Sequence, residues 1–179
     1  VRLADQLYRL QAAVDGKAAD RDRIATETRE IFAPLANRLG IWHLKWQLED
    51  LAFRVLEPAL YQDIAAFLDQ RREEREGRIN EVITLLGELL EEAGIHADIE
   101  GRPKHIYSIW RKMNRKQVGI DQIFDISAVR VLVDTVPECY AALGIVHGRW
   151  AYVPGEFDDY ITTPKGNFYR SLHTAVLGP

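Results

Sequence analysis

The chain has 179 residues, with 23 Lys and Arg against 27 Asp and Glu and a formal net charge of −4. At 47% hydrophobic and 28% charged it can bury a sizeable core, as one domain or as one and part of a second. The acidic balance disfavours a DNA-coating protein, the single Cys139 excludes a disulfide framework or a Cys-rich zinc site, and without a secretory signal or an apolar run of ~18–20 residues the default is a soluble cytoplasmic protein with no membrane partner.

Val1 opens on a pattern that is already helical, with Leu3, Leu7, Leu10 and Val14 at spacings of three and four. Leu177-Gly178-Pro179 stops where a strand would turn, so the sequence reads as a piece of a longer chain. A second helix is expected over 21–39, with Ile24, Thr28, Ile31, Leu35 and Leu39 on its buried stripe, a kink at Pro34 and Gly40 as C-terminal cap. Leu44, Leu48, Leu51, Ala52 and Val55 predict a third over 43–57, stopped by Pro58. Helical spacing continues from Leu60 to Glu92, interrupted by Gly77 and by the mixed-sign run 71–76, which reads as a solvated face. Beyond Gly94 the pattern predicts a strand near 96–100, a helix at 104–116 and a strand at 126–133. A helix at 137–149 and strands at 157–163 and 171–177 complete it. The expected class is α+β, an N-terminal helical bundle followed by a mixed β-sheet flanked by helices.

Chemistry concentrates in the second half. Arg102, Lys104, Arg111, Lys112, Arg115 and Lys116 supply six positive charges with no Asp or Glu among them. At about 100° per residue, Lys104, Ser108, Arg111, Lys112 and Arg115 share one helical sector, opposite Ile106, Ile109, Trp110 and Met113. Like charges one turn apart repel, so an anion is expected on that face, polyphosphate being the natural one for Arg forks and compact Lys charges. A solvated basic face is the alternative. Asp121 and Asp125 flank the start of the next strand, where a carboxylate suits Mg²⁺ in phosphoryl transfer, although an Asp there also serves as a plain turn residue. Glu156, Asp158 and Asp159 form a second acidic cluster, followed by Lys165, Asn167, Tyr169 and His173. Tyr169 suits stacking on a purine and His173 a bond to phosphate or ribose. Together the clusters favour a nucleotide-phosphate site.

Gly101-Arg102-Pro103-Lys104-His105-Ile106-Tyr107-Ser108-Ile109-Trp110-Arg111-Lys112-Met113 is similar to the synthetase signature of the RelA/SpoT family. Ile123 to Arg130, Tyr140 to His147, Asp158 to Ile161 and Tyr169 to Thr174 resemble further motifs of that family. Ile31 to Gly40 and Leu44 to Arg54 resemble the helices joining its two catalytic domains. The resemblance implies a nucleotidyltransferase-like synthetase domain over 96–179, truncated at its C-terminal end, connecting helices over 59–95, and over 1–58 the end of a degenerate HD-type hydrolase-like domain. It further implies a GTP diphosphokinase of the stringent response, transferring the β,γ-pyrophosphate of ATP to the 3′-hydroxyl of GTP or GDP to make pppGpp and ppGpp. By motif, Arg102, Lys104, Ser108 and Lys112 would hold the ATP phosphates. Asp125 would bind Mg²⁺, with Mn²⁺ as the alternative ion, and Arg102 and Lys104 would join it in catalysis. Tyr169 would stack on the acceptor guanine, beside Lys165, Asn167 and His173. The ribosome enters as a partner through the full-length protein.

Departures from the family pattern are local. Glu156-Phe157-Asp158-Asp159 resembles the acidic form of a motif that is basic in bifunctional members, and the acidic form accompanies synthetase-only enzymes. Ser127 stands where those enzymes carry Arg, and Phe168 and Arg170 replace Gly and Gln beside Tyr169. Leu3-Ala4-Asp5 resembles the last hydrolase motif, but Arg9 replaces its catalytic Asn, and none of the five His residues precedes an Asp. No hydrolase activity is therefore expected. The family's second metal carboxylate follows the Leu-Gly-Pro stretch, so these residues alone are expected to bind nucleotide weakly and turn over little. The rival reading is a non-catalytic regulatory or RNA-binding fragment that lays helix 102–116 on a phosphate backbone.

Overall fold

Helices fill the first 92 residues, as the apolar spacing predicts. The computed structural model describes residues 2–123, 127–166 and 169–178. The elements run α1 (Arg2–Val14), α2 (Arg21–Glu27), a π-helical turn (Thr28–Phe32), α3 (Ala33–Arg38), α4 (Trp42–Leu56), α5 (Pro58–Gln70), α6 (Arg72–Glu92), β1 (Asp98–Pro103) and α7 (Ile106–Lys116). A 3₁₀ turn (Ile120–Gln122), β2 (Ser127–Leu132), α8 (Val136–Arg149), β3 (Asp158–Asp159) and β4 (Leu172–His173) follow. The architecture is α+β. No helix among the described residues is long and apolar enough to cross a membrane.

Two compact units form, each discontinuous in sequence: Val1–Gln70 with His105–Phe124, and Arg71–Lys104 with Asp125–Pro179. The first is helical. Leu10, Ala13, Ile24, Ala25, Ala33, Ala36, Leu48, Ala52 and Val55 make its core. Within that core Gln6 Nε2 donates to Thr28 Oγ1 at 2.8 Å and to Ile24 O at 3.3 Å, while Thr28 Oγ1 donates to Ile24 O at 2.7 Å.

The stripe expected over 21–39 is only half right. Ile24 and Thr28 are buried, but Ile31, Leu35 and Leu39 are 57%, 41% and 59% exposed. Pro34 is the cause. It has no N–H to offer the carbonyl four residues back, and its ring collides with that carbonyl in a regular α-helix. The backbone answers by widening rather than kinking: the Ala33 N–H donates to Thr28 O, a π-type bond. Five residues thus separate consecutive inward positions, and Ala33 and Ala36 take the core places instead. Gly40 caps the end as expected, at φ +71°.

In the second unit α6 runs unbroken through Gly77, and the break lies at Arg71. Arg72–Glu76 and Arg78–Glu74 pair along its exposed side, in keeping with a solvated face. Leu90, Ile95 and Ala142 form the core, with Ile99, Val131 and Ile145 packed on it. β1 and β2 pair antiparallel with Glu100 opposite Arg130 and Gly101 opposite Val129. Gly101 is needed there, since a Cβ would lie 2.6 Å from Ile79 Cγ2 on α6. A capping box starts α8: Thr135 accepts from the Glu138 N–H, and Glu138 accepts from the Thr135 N–H. The strands expected at 157–163 and 171–177 shorten to the pair Asp158–Asp159 and Leu172–His173, with one further bridge between Tyr152 and Val176.

Candidate functional site

Most of the expected acceptor-site residues gather within the second unit. The pairing of β3 with β4 sets Asp158 opposite His173, and the chain between these strands carries Tyr160, Lys165 and Tyr169. The Tyr169 hydroxyl lies 2.8 Å from His173 Nε2. Tyr160 meets His173 edge to face at 5.2 Å and lies 6.1 Å from the Tyr169 ring. Lys165 Nζ stands 3.9 Å above the Tyr160 ring and 5.5 Å from that of Tyr169, a cation held against aromatic faces. Two π faces, an ammonium and an imidazole therefore share one small volume. Pro103 confines the residue before it to extended backbone, and Arg102 duly lies on β1, opposite Ala128.

Electrostatics tie Arg102 to this group. Burial lowers the Arg102 pKa from the usual guanidinium value, the Tyr169 phenol opposing and Arg130 adding to the shift. His173 is pushed below 6.5, first by the desolvation its aromatic neighbours impose and then by the charges of Lys165 and Arg102, against an opposing pull from Asp158. Its imidazole is therefore neutral at pH 7 and serves as a hydrogen-bonding group rather than a cation. Arg130, the only charge in the expected strand, pairs with Glu100 across the ladder at 2.5 Å.

The acidic cluster divides by role. Asp159 Oδ1 accepts the N–H groups of Ile161 and Thr162 at 2.8 and 2.9 Å, and its Oδ2 accepts the Tyr140 hydroxyl at 2.8 Å. The Thr162 bond leads the depression of its pKa. Asp159 thus builds the turn that ends β3 and presents Tyr160. Asp158 acts on the aromatic group, raising the Tyr160 phenol beyond what burial does. The Glu156 N–H donates to Val153 O. Among the described residues no three His, Cys, Asp or Glu side chains gather to hold a metal. These carboxylates do not by themselves fit Mg²⁺, and Asp125, like Asn167, lies outside the described residues.

Lys104 ends the first stretch of the second unit, whereas Ser108 and Lys112 sit half-buried on α7 of the first. The apolar face of α7 behaves as its spacing predicts. Ile109 is buried, and Trp110 and Tyr107 lie 5.0 and 5.7 Å from Phe53 of α4. Two contributors escaped the sequence reading of the site. Tyr160, the platform under Lys165, lies in the Asp158–Ile161 stretch that resembles a family motif, but nothing in its residue type or spacing marked it as a partner of Lys165. Asp50 of α4 accepts the Tyr107 N–H of α7 at 2.8 Å, and no local pattern announces a partner 57 residues away.

Residues 101–179 match a family model described as a region found in RelA/SpoT proteins, and residues 1–42 match an HD domain model. The GTP pyrophosphokinase of Escherichia coli K12 is 48% identical over 179 residues, covering 100% of this chain and 24% of that protein. The GTP pyrophosphokinase of Streptomyces coelicolor is 46% identical, covering 100% and 21%. A probable guanosine-3′,5′-bis(diphosphate) 3′-pyrophosphohydrolase of Synechocystis is 46% identical, covering 99% and 24%. The chain spans about a quarter of the length of these relatives. The crystal structure of small alarmone synthetase 1 from Bacillus subtilis bound to pppGpp superposes with a TM-score of 0.48 at 26% identity, over 66% of this chain and 64% of that one.

Proposed function

The chain belongs to the RelA/SpoT family, and we propose that it carries most of a GTP pyrophosphokinase site, transferring pyrophosphate from ATP to the ribose 3′-hydroxyl of GTP or GDP. The observation that supports this reading is the group formed by Arg102, Tyr160, Lys165, Tyr169 and His173. A purine nucleotide needs a π face for its base and cations for its phosphates, and this group supplies both. Tyr169 is the stacking platform. Lys165 and Asn167 hold the acceptor nucleotide, and neutral His173 bonds its ribose or phosphate. Arg102, Lys104, Ser108 and Lys112 hold the ATP phosphates.

The reaction asks little covalent chemistry of the protein. Phosphoryl-type transfer depends on placing the acceptor hydroxyl and neutralising charge as it develops. Arg102 and Lys104 serve that end as donors to phosphate oxygens. Asp125 is the residue we assign to Mg²⁺, which when bound adds further charge neutralisation at the phosphates.

The test is saturable GTP binding by the chain, measured by calorimetry, in parent, Lys165→Ala and Tyr169→Ala forms. The reading predicts measurable binding that both substitutions weaken. In a longer version of the chain supplied with labelled ATP and GTP it predicts AMP and pppGpp, with Asp125→Asn abolishing transfer. Indifference to GTP, combined with RNA binding that falls steeply with salt, would instead favour a fragment that lays α7 on a phosphate backbone.

A further inference from the structure

We propose that Asp50 is a positioning residue for the nucleotide-holding face of α7; the proposal rests on the functional reading above. A helix begins with N–H groups that have no acceptor inside it. Many helices meet this need with a Ser, Thr, Asp or Asn at the cap, but the residue before α7 is His105, whose side chain makes no cap bond. The acceptor comes from another helix instead. Asp50 Oδ1 takes the Tyr107 N–H at 2.8 Å, and its Oδ2 lies 3.3 Å from His105 Nδ1, which therefore carries the donated proton. The same imidazole is stacked on Trp46 at 4.9 Å, one turn earlier on α4.

These contacts fix more than a frayed end. One carboxylate grips the helix at its second residue and at the residue before it, so α7 can neither slide nor rotate without losing a bond. Phe53, one turn beyond Asp50 on α4, touches Tyr107 and Trp110 and opposes the same rotation. Ser108 follows the anchored amide by one residue, and Lys112 lies one turn further, so their direction is inherited from the grip. The charge is also well placed. α7 carries Arg111, Lys112, Arg115 and Lys116 without an acid of its own. Asp50 offsets them at the positive end of the helix dipole, from a neighbouring helix rather than from α7 itself. A local cap would satisfy the amide equally well. A remote one makes the aim of α7 conditional on α4.

Asp50→Ala and Asp50→Asn separate positioning from folding, since the Asn side-chain oxygen still accepts the Tyr107 N–H. Three measurements on the 179-residue chain decide it: hydrogen exchange of the first turn of α7, binding of a non-hydrolysable ATP analogue, and binding of GTP. For Asp50→Ala we expect faster exchange at Tyr107 and Ser108 and about tenfold weaker analogue binding, because small misplacements of binding groups are costly. GTP binding, which uses the second unit, should be unchanged, and Asp50→Asn should retain most of both the protection and the analogue affinity. Unchanged exchange, or unchanged analogue affinity with GTP binding intact, overturns the positioning role alone. A parent chain that binds neither nucleotide overturns the functional reading, and the proposal with it.

Discussion

The hydroxyl of Tyr169 and Nε2 of His173 sit 2.8 Å apart, so the ring we propose as the stacking platform is held from its edge by the imidazole. The two contributions of Tyr169 are separable by substitution. Tyr169→Phe loses the bond and keeps the face, while Tyr169→Ala loses both. Base–aromatic stacking is worth about 1–3 kcal/mol by alanine substitution, or roughly fivefold to more than a hundredfold in affinity. Titration with a fluorescent GTP analogue should place Tyr169→Phe within about threefold of the parent and Tyr169→Ala in that wider range. Equal losses for both variants would show that the hydroxyl, not the ring, is the determinant.

His173 sets a pH dependence of known sign. Its folded pKa lies below the 6.5 of the unfolded chain, chiefly through desolvation and then through Lys165 and Arg102. Between those two values the unfolded chain binds the extra proton, so stability is fully present above pH 6.5 and declines as pH falls through the folded value. The His173 ring resonance should titrate with a midpoint below 6.5, and the acid-side fall in melting temperature should be shallower in His173→Asn. A midpoint above 6.5 would contradict this.

Gly101 opens the cationic motif, yet its structural duty is steric. A Cβ would lie 2.6 Å from Ile79 Cγ2, which sits close to the α6 backbone and cannot simply swing away. Gly101→Ala should cost about 1–3 kcal/mol by overpacking, measured by urea denaturation. Adding Ile79→Ala should recover part of that loss even though it deletes core volume. Additive losses would point to a backbone effect instead.

Thr28 and Gln6 behave as one buried unit, 0% and 1% exposed. Thr28→Val keeps the shape but leaves Gln6 Nε2 with the longer bond to Ile24 O in place of its bond to Thr28, while Oε1 still accepts from Arg9. The expected cost is about 1–3 kcal/mol, the penalty of an under-satisfied buried donor. The double variant Gln6→Leu/Thr28→Val should be less destabilised than the sum of the single ones, and a melting-temperature cycle would reveal the difference.

What could be read from the sequence was local. The apolar face of α7 was plain because Ile109 and Trp110 repeat at helical spacing, and the charge run 71–76 resolved into pairs one turn apart. The grip of Asp50 on α7 was not readable, since it joins residues 57 positions apart that carry no shared period. Ile31, Leu35 and Leu39 were misplaced because a search at 3.6 residues per turn cannot register a step of five. The last two strands were overdrawn because Asp159 diverts the Ile161 and Thr162 amides from any ladder, a competition that side chains of this kind wage against sheets. Arg102, Lys165, Tyr169 and His173 were picked out by residue type and motif, and the grouping of the last three required the β3–β4 pairing. Asp125 and Asn167, also picked out by motif, lie outside the described residues.

The π turn at Thr28–Phe32 makes chain length itself a design variable in this segment. It stores one residue beyond what a regular helix would use between Thr28 and Ala33. Excising one residue there would leave Ala33 and Ala36 in phase with Ile24, at the expense of pressing Pro34 against a carbonyl. Adding one would rotate everything downstream by about 100° and present bulky Ile and Leu side chains to a space sized for alanines. Indels should therefore be far less symmetric in effect here than elsewhere in the bundle.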